Sequence, residues 1–423
     1  MNIESYKKCS SAISLQGREK SVRKSSIRAF IPNSWFSVDL TTGRITATGT
    51  GATPADAQEL VDLNNKFITP GMINTHVHII NKVFPYGPKA SREPFEIAMQ
   101  AQANLNEMLA SGVTYTRVLA TAQSFDIGMQ KMTLNGQWRG TGVVASGRAF
   151  STIGGHASKI GEALSGPEEF RAGVRRRIEQ GAHAIKYMAS GGIAFDQFEQ
   201  PDMPQMTEAE MAAGVDVAHR RGIKVAAHAE ALQTVKEALR AGVDSVEHAF
   251  VIDDEALELF QSTGTYLTPT LVAPYVIIKR GDGLLPQWMV DKAYKWVDSH
   301  FAAFGKAAKN GVNLALGTDA GSPLNGYADT ALEAELWSIA GATNAQILQA
   351  LFTNAADLLQ ISADYGELVP GKMADFVVFD ASPLADIKVL QEPKRVAKFG
   401  EFVDTTGFQN PYILPLDKGH LAY

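Results

Sequence analysis

Among 423 residues there is a single cysteine, Cys9. One thiol cannot form an internal disulfide or build a thiolate-rich metal site. A reducing, cytoplasmic setting is therefore expected, and any metal must be held by His, Asp, Glu or a modified Lys. Positive charge is also scarce: Lys plus Arg number 39 against 45 Asp plus Glu, a formal charge of -6. That leaves no overall basic field for nucleic acid or an anionic membrane surface, and neither partner is expected. No run approaches the roughly 18 uninterrupted apolar residues of a membrane span, and the N-terminus lacks the apolar stretch of a secretory signal. A Gly-x-Ser-x-Gly nucleophile elbow is missing too, which speaks against serine acyl transfer, and Cys9 sits in a polar segment unsuited to a catalytic thiol. The segment 1–24 is rich in Lys, Arg and Ser, with only Glu4 and Glu19 as acids. It reads as a flexible polar arm more than as a transit peptide, since it has few periodic apolar residues.

From about residue 66, short β-branched apolar runs alternate with longer amphipathic ones. Eight strand candidates result: Phe67 to His78, Gly112 to Ala120, Gly142 to Phe150, His183 to Ser190, Ile223 to Glu230, Val243 to Phe250, Thr265 to Val272 and Asn313 to Ala320. Helical candidates between them include Glu93 to Ala110, Glu168 to Gln180, Thr207 to Arg221, Leu232 to Ala241, Asp253 to Ser262 and Gln287 to Asn310. Gly112, Gly181, Gly222, Gly242, Gly264 and Gly311 each stand just before a strand candidate, where a left-handed helix end favours glycine. Eight such units predict an α/β fold, a (β/α)8 TIM barrel, over 66–359. Residues 25–65 and 360–423 read as short strands with turns at Thr42-Gly43 and Pro370-Gly371. They are expected to meet in one small flanking β-sandwich domain, because a barrel brings its two ends together.

Residues able to bind metal fall at the carboxyl ends of these strands. His76 and His78 close the first, and alternate residues on a strand share a side. Lys186 lies in the fourth strand, His228 ends the fifth, His248 the sixth and Asp319 the eighth, so the barrel would gather all six at its active-site face. A strand-interior lysine is unusual, because a buried ammonium is costly unless paired or neutralised. Lys186 would either pair with an acid or react with carbon dioxide to give a carbamate, whose two oxygens can bridge two cations. A lone strand-end histidine is more often packed than ligating; six residues placed alike point to a metal site. His183, His219, His300 and His420 lie off this cluster and read as surface or packing residues.

These motifs, Pro70-Gly71-x-Ile73-x-x-His76-x-His78, Lys186 followed by Ala189-Ser190-Gly191-Gly192, two later strand-end histidines and Gly317-Thr318-Asp319, resemble the metal-dependent amidohydrolase superfamily. The likeness covers about Phe67 to Asp375. The spacing from Lys186 through His228 and His248 to Asp319, together with the tail around Leu384 to Lys394, is similar to the branch holding ochratoxinase, the Xaa-Pro or L-Xaa-L-basic dipeptidases and imidazolonepropionase-like enzymes. The resemblance implies two divalent ions, usually Zn2+. His76, His78 and Asp319 would hold one, His228 and His248 the other, with N6-carboxylysine at Lys186 bridging them. Family members usually open with an apolar strand, whereas residues 1–24 here are polar, so the small β-domain could be incomplete.

On that pattern the expected reaction is hydrolysis of an amide bond in a small molecule such as an N-acyl amino acid, an ochratoxin-like amide or an Xaa-Pro dipeptide, by a homo-oligomer. Carbamates, phenylureas and cyclic imidazolone-type amides are the alternative. Asp319 is the candidate proton shuttle, and Lys186 and His156 are the other catalytic candidates. His156 would contact the substrate carbonyl or carboxylate unless it only packs the loop; Tyr187 and Tyr275 are further substrate-contact candidates. Phe84, Pro85, Phe195 and Phe198 could receive an aromatic acyl group. Deaminases of similar fold carry a Glu three positions after a late His; here position 231 is Ala and Glu230 lies only two after His228, which favours hydrolysis. A non-catalytic barrel scaffold is disfavoured, since all six ligand positions are filled.

Overall fold

The computed structural model describes residues 3–9, 11–13, 30–54, 57, 59–83, 93–406 and 408. Its centre is a parallel barrel of eight strands: Met72–Val77, Val113–Val118, Gly142–Ala145, Ala184–Met188, Lys224–Ala229, Ser245–His248, Tyr266–Thr268 and Asn313–Leu314. Two seams close it. The His183 N–H donates to Ala145 O (2.9 Å) between the third and fourth strands, and the Thr75 N–H donates to Leu316 O (2.9 Å) between the first and eighth. The apolar residues of the strands and of the helices around them form one continuous buried core, with Val118, Ile185, Val225, Val246 and Leu267 all fully buried. This is the TIM barrel that the α/β rhythm predicts.

Local chemistry explains the rhythm. The helix Glu208–His219 starts at Thr207, whose hydroxyl accepts from the Glu210 N–H while the Glu210 carboxylate accepts from the Thr207 N–H (2.9 Å). The six glycines before strands all adopt positive φ, between 67° and 103°.

Some boundaries fall elsewhere than the sequence suggests. The candidate strand Phe67 to His78 is two strands in different sheets, Phe67–Pro70 and Met72–Val77, hinged at Gly71. A Cβ on Gly71 would sit 2.2 Å from Thr114 Oγ1, so the crossing leaves room only for hydrogen. The run Gly142 to Phe150 is likewise interrupted at Gly147 (φ 66°), and Phe150–Thr152 starts a second strand that pairs with Glu162–Leu164 and, through Phe150, with Tyr187 of the fourth barrel strand. Val272 opens a helix, Val272–Arg280, instead of ending a strand: Glu333 accepts from the Leu271 and Val272 N–H groups (2.8 and 2.6 Å), satisfying donors at the helix start.

Two flanking sheets pack face to face as a β-sandwich. One runs Arg44–Thr50, Ser34–Asp39, Ile3–Cys9 and Glu59–Asp62; the other Glu401–Phe402, Arg395–Lys398, Phe376–Phe379, Phe67–Pro70, Ser11–Ile13 and Phe30–Ile31. Phe36, Val38, Ile45, Ile68, Phe376 and Val378 fill the space between them. The polar-arm reading is corrected at Ile3–Cys9 and Ser11–Ile13, which are strands. Strand pairing needs backbone groups and not an apolar pattern, and Ile3–Cys9 is an inner strand of its sheet, paired on both sides. Residues 14–24 lie outside the described residues, as do Phe84, Pro85 and His420. No helix among the described residues is long and apolar enough to cross a membrane.

Candidate active site

The barrel brings the six predicted ligands to its carboxyl-terminal mouth. Asp319 Oδ1 lies 2.8 Å from His78 Nε2 and 3.2 Å from His76 Nε2. The His248 ring is centred 5.2 Å from His76 and 4.7 Å from His228. Two groups could each hold a metal ion: His76, His78 and Asp319, and His228, Glu230 and His248, with potential ligand atoms within 4.8 Å of one another in each group.

Consecutive strand residues face opposite ways, yet Glu247 and His248 both reach His76. The backbone resolves this: His248 has φ 75°, which turns its ring back toward the interior that Glu247 already faces. Asp319 (φ 62°), Ala120 (φ 77°) and Thr270 (φ 55°) are likewise left-handed without being glycine. Each such residue stores roughly 1–3 kcal/mol of strain, and all four stand at the last residue of a barrel strand or in the segment that follows one at the site.

Orienting partners surround the candidate ligands. Glu247 accepts from His76 Nδ1 (2.8 Å) and from Arg117 Nη2 (2.9 Å), which leaves His76 Nε2 facing Asp319. His78 Nδ1 lies 3.2 Å from Ala120 O, His248 Nδ1 2.7 Å from Thr270 Oγ1, and His228 Nε2 3.0 Å from Gly191 O. Behind them, fully buried His300 places Nε2 against Pro269 O (2.7 Å) and His248 O (3.1 Å), so this residue, read from sequence as packing, braces the backbone of a candidate ligand.

The electrostatics suit divalent ions. Burial, then the nearby His156 and Lys186, depresses the His228 pKa far below the ordinary histidine value; burial, then His228 and His76, does the same to His248. Both imidazoles are therefore neutral at pH 7, the form that ligates. Burial opposes ionisation of Asp319, but hydrogen bonding and charge from His76 and His78 overcome it and hold the carboxyl well below its usual range. Glu247 behaves alike: despite burial, Arg117 and His76 bring it to about 2. Lys186 is 1% exposed and its Nζ has no hydrogen-bond partner among the described residues; burial lowers its pKa to about 8, partly offset by Glu247 and Asp319. No acid bonds it. A buried, orphaned amine with a substantial neutral fraction is the nucleophile that carbon dioxide requires, so these residues fit a carbamate-bridged pair of ions.

His156 joins the cluster. Its ring stacks on His228 at 4.5 Å and 7°, its Nδ1 is bonded to the Glu199 carboxylate, and its edge meets Phe195 at 4.9 Å. Tyr187 does not join it. Since Lys186 faces the barrel interior, its neighbour faces the helices, where Tyr187 packs between Phe150 and Phe170 with its hydroxyl 3.4 Å from Met211 O. Its candidacy as a substrate contact is thereby corrected. Tyr275 is buried in Val272–Arg280, within the main core. Two site residues escaped the sequence reading, Glu247 and Glu199, and Glu230 entered it only as a departure from the deaminase pattern. The i, i+2 alternation that pairs His76 with His78 would have paired Glu230 with His228; Glu199 leaves no such signal.

Residues 67–400 match the Amidohydrolase family. Ochratoxinase of Aspergillus niger is 31% identical over 363 residues, which span 78% of this chain and 73% of that protein. A crystal structure of an Xaa-Pro dipeptidase with methionine in its active site aligns with a TM-score of 0.84 at 26% identity, over 95% of this chain and all of that one. The crystal structure of A. niger ochratoxinase aligns with a TM-score of 0.80 at 25% identity, over 95% of each chain.

Proposed function

Because the chain belongs to the amidohydrolase family and is a hydrolase of carbon–nitrogen bonds, we propose that it cleaves an amide bond of a small molecule with a binuclear metal centre. The observation that carries this reading is the pair of metal-capable groups, His76/His78/Asp319 and His228/Glu230/His248, set around the orphaned Nζ of Lys186. Two divalent ions, zinc in the first instance, held by His76, His78 and Asp319 and by His228 and His248 with carboxylated Lys186 between, would lower the pKa of a shared water toward about 7 and polarise the scissile carbonyl. Asp319, kept anionic, accepts the proton of the attacking water and returns it to the leaving amine. Glu247 holds His76 in one tautomer. His156, fixed by Glu199 and stacked on His228, presents its remaining ring edge to the substrate carbonyl or carboxylate.

Beyond His156 opens a cavity of about 430 Å3 lined in part by Phe195, Phe198, Ile160, Met203 and Gln205. Those four apolar side chains are all exposed, an arrangement that favours a substrate with a large apolar or aromatic group. The substrates proposed are N-acyl amino acids, ochratoxin-like amides and Xaa-Pro dipeptides. The test is a screen of purified, zinc-loaded protein against these three classes, with phenylureas included. Release of a free amino acid is the expected result; turnover confined to an aminopurine or aminopyrimidine would overturn the assignment.

A further inference from the structure

Glu230 has no role in the six-ligand arrangement, yet it is placed as a ligand would be. It follows His228 by two residues at the end of the fifth barrel strand, the same spacing that sets His78 beside His76. Its carboxylate lies within 4.8 Å of ligand atoms on both His228 and His248. The residue is 5% exposed, and its Oε2 has no hydrogen-bond partner among the described residues. The nearby ammonium of Lys292 is taken up by Asp196 O at 2.5 Å. A carboxylate buried without a donor is expensive unless a cation meets it or a proton neutralises it, and a divalent ion bound by its two histidine neighbours would displace that proton.

We infer that Glu230 is a protein ligand of the ion held by His228 and His248, which makes that half-site a His-Glu-His group opposite the His-His-Asp group of the other. The inference rests on the binuclear reading above.

Charge balance gives the physical reason. Two divalent ions bring four positive charges into a buried site, and imidazole ligands supply no negative charge to offset them. Asp319 and a carbamate on Lys186 would remove one charge each, while Glu247 is already matched by Arg117. Two positive charges would remain in a poorly solvated pocket. Glu230 cancels one, and an attacking hydroxide cancels the other. The His-His-Asp side carries its own carboxylate; without Glu230 the His228/His248 side carries none beyond the shared bridge.

The experiment is metal binding, read without turnover. Metal-free wild type, Glu230→Gln and Glu230→Asp are titrated with Zn2+ against a chromophoric chelator and with Co2+ by visible absorption, and folding is checked by circular dichroism. Wild type should bind two ions. Glu230→Gln, which keeps the shape and removes the charge, should bind the second ion at least tenfold more weakly and lose the Co2+ band that belongs to it. Glu230→Asp, which keeps the charge on a shorter arm, should fall between the two, and it decides the matter if the Gln variant does not fold. Two ions bound with wild-type affinity by either variant overturns this inference alone. A wild type that takes up no divalent ion overturns the binuclear reading itself.

Discussion

Lys186 is the residue on which the proposed chemistry turns. Its amine sits near pKa 8, so its neutral fraction grows between pH 7 and 9. In 13C-bicarbonate a carbamate resonance should therefore grow over that range, in step with metal uptake, as read by NMR and by inductively coupled plasma analysis. Lys186→Ala should remove both the resonance and one or both ions; full activity with unchanged metal content would count decisively against the bridge. Linkage adds a second readout. In metal-free protein the folded amine deprotonates near pH 8 and the unfolded one near 10.5, so between these values the unfolded state binds more protons. Stability of that form should rise with pH from about 8 to 10.5, and a Lys186→Met variant should lose this slope. Glu247 is the complementary case. Glu247→Gln leaves the Arg117 guanidinium buried without its counter-ion, a loss of about 3–5 kcal/mol that a denaturant midpoint would register. It should also weaken metal binding about 10–100-fold by freeing the His76 ring. Lys186 and the four histidines stood out in the sequence because their types are rare on strands. Glu247 did not, since its role depends on Arg117 and His76, distant in the chain.

At the scale of elements, regular helices were legible and strand ends were not. Thr207 and Glu210 announce their helix through a capping box, and Thr207→Ala should cost about 1 kcal/mol by chemical denaturation while leaving metal content unchanged. Strand limits depend on what crosses the chain. Phe67 to His78 is one apolar run in sequence, but Phe379 to Phe376 claims its first part and the barrel its second, with Gly71 between them. The positive φ at His248 and Asp319, which aims two candidate ligands, has no mark in residue type, because neither is a glycine.

For the whole molecule, the sandwich and barrel meet at Lys398, which a buried ion pair within the flanking layer holds against a barrel strand. Lys398, on the flanking strand Arg395–Lys398, donates to Asp375 Oδ2 (2.6 Å) and to Thr114 O (2.9 Å) on the second barrel strand. Both charged side chains are under 5% exposed. Lys398→Met would strand Asp375 without a counter-ion, and a loss of about 3–5 kcal/mol is expected. If this contact couples the two layers, calorimetry of the wild type should show one unfolding transition, and the variant should show a lower midpoint or two resolved steps.

The sequence by itself determined the repeat of strand and helix, the glycines that stop the helices, and the six rare side chains at strand ends, because each of these is local or periodic. Only the tertiary structure decided which acids serve them. It set Glu247 on His76 and Glu199 on His156, left Glu230 open beside His228 and His248, and turned Tyr187 away from the site. Those choices come from contacts between residues far apart in the chain and from backbone angles that residue type does not specify, so no pattern along the sequence records them.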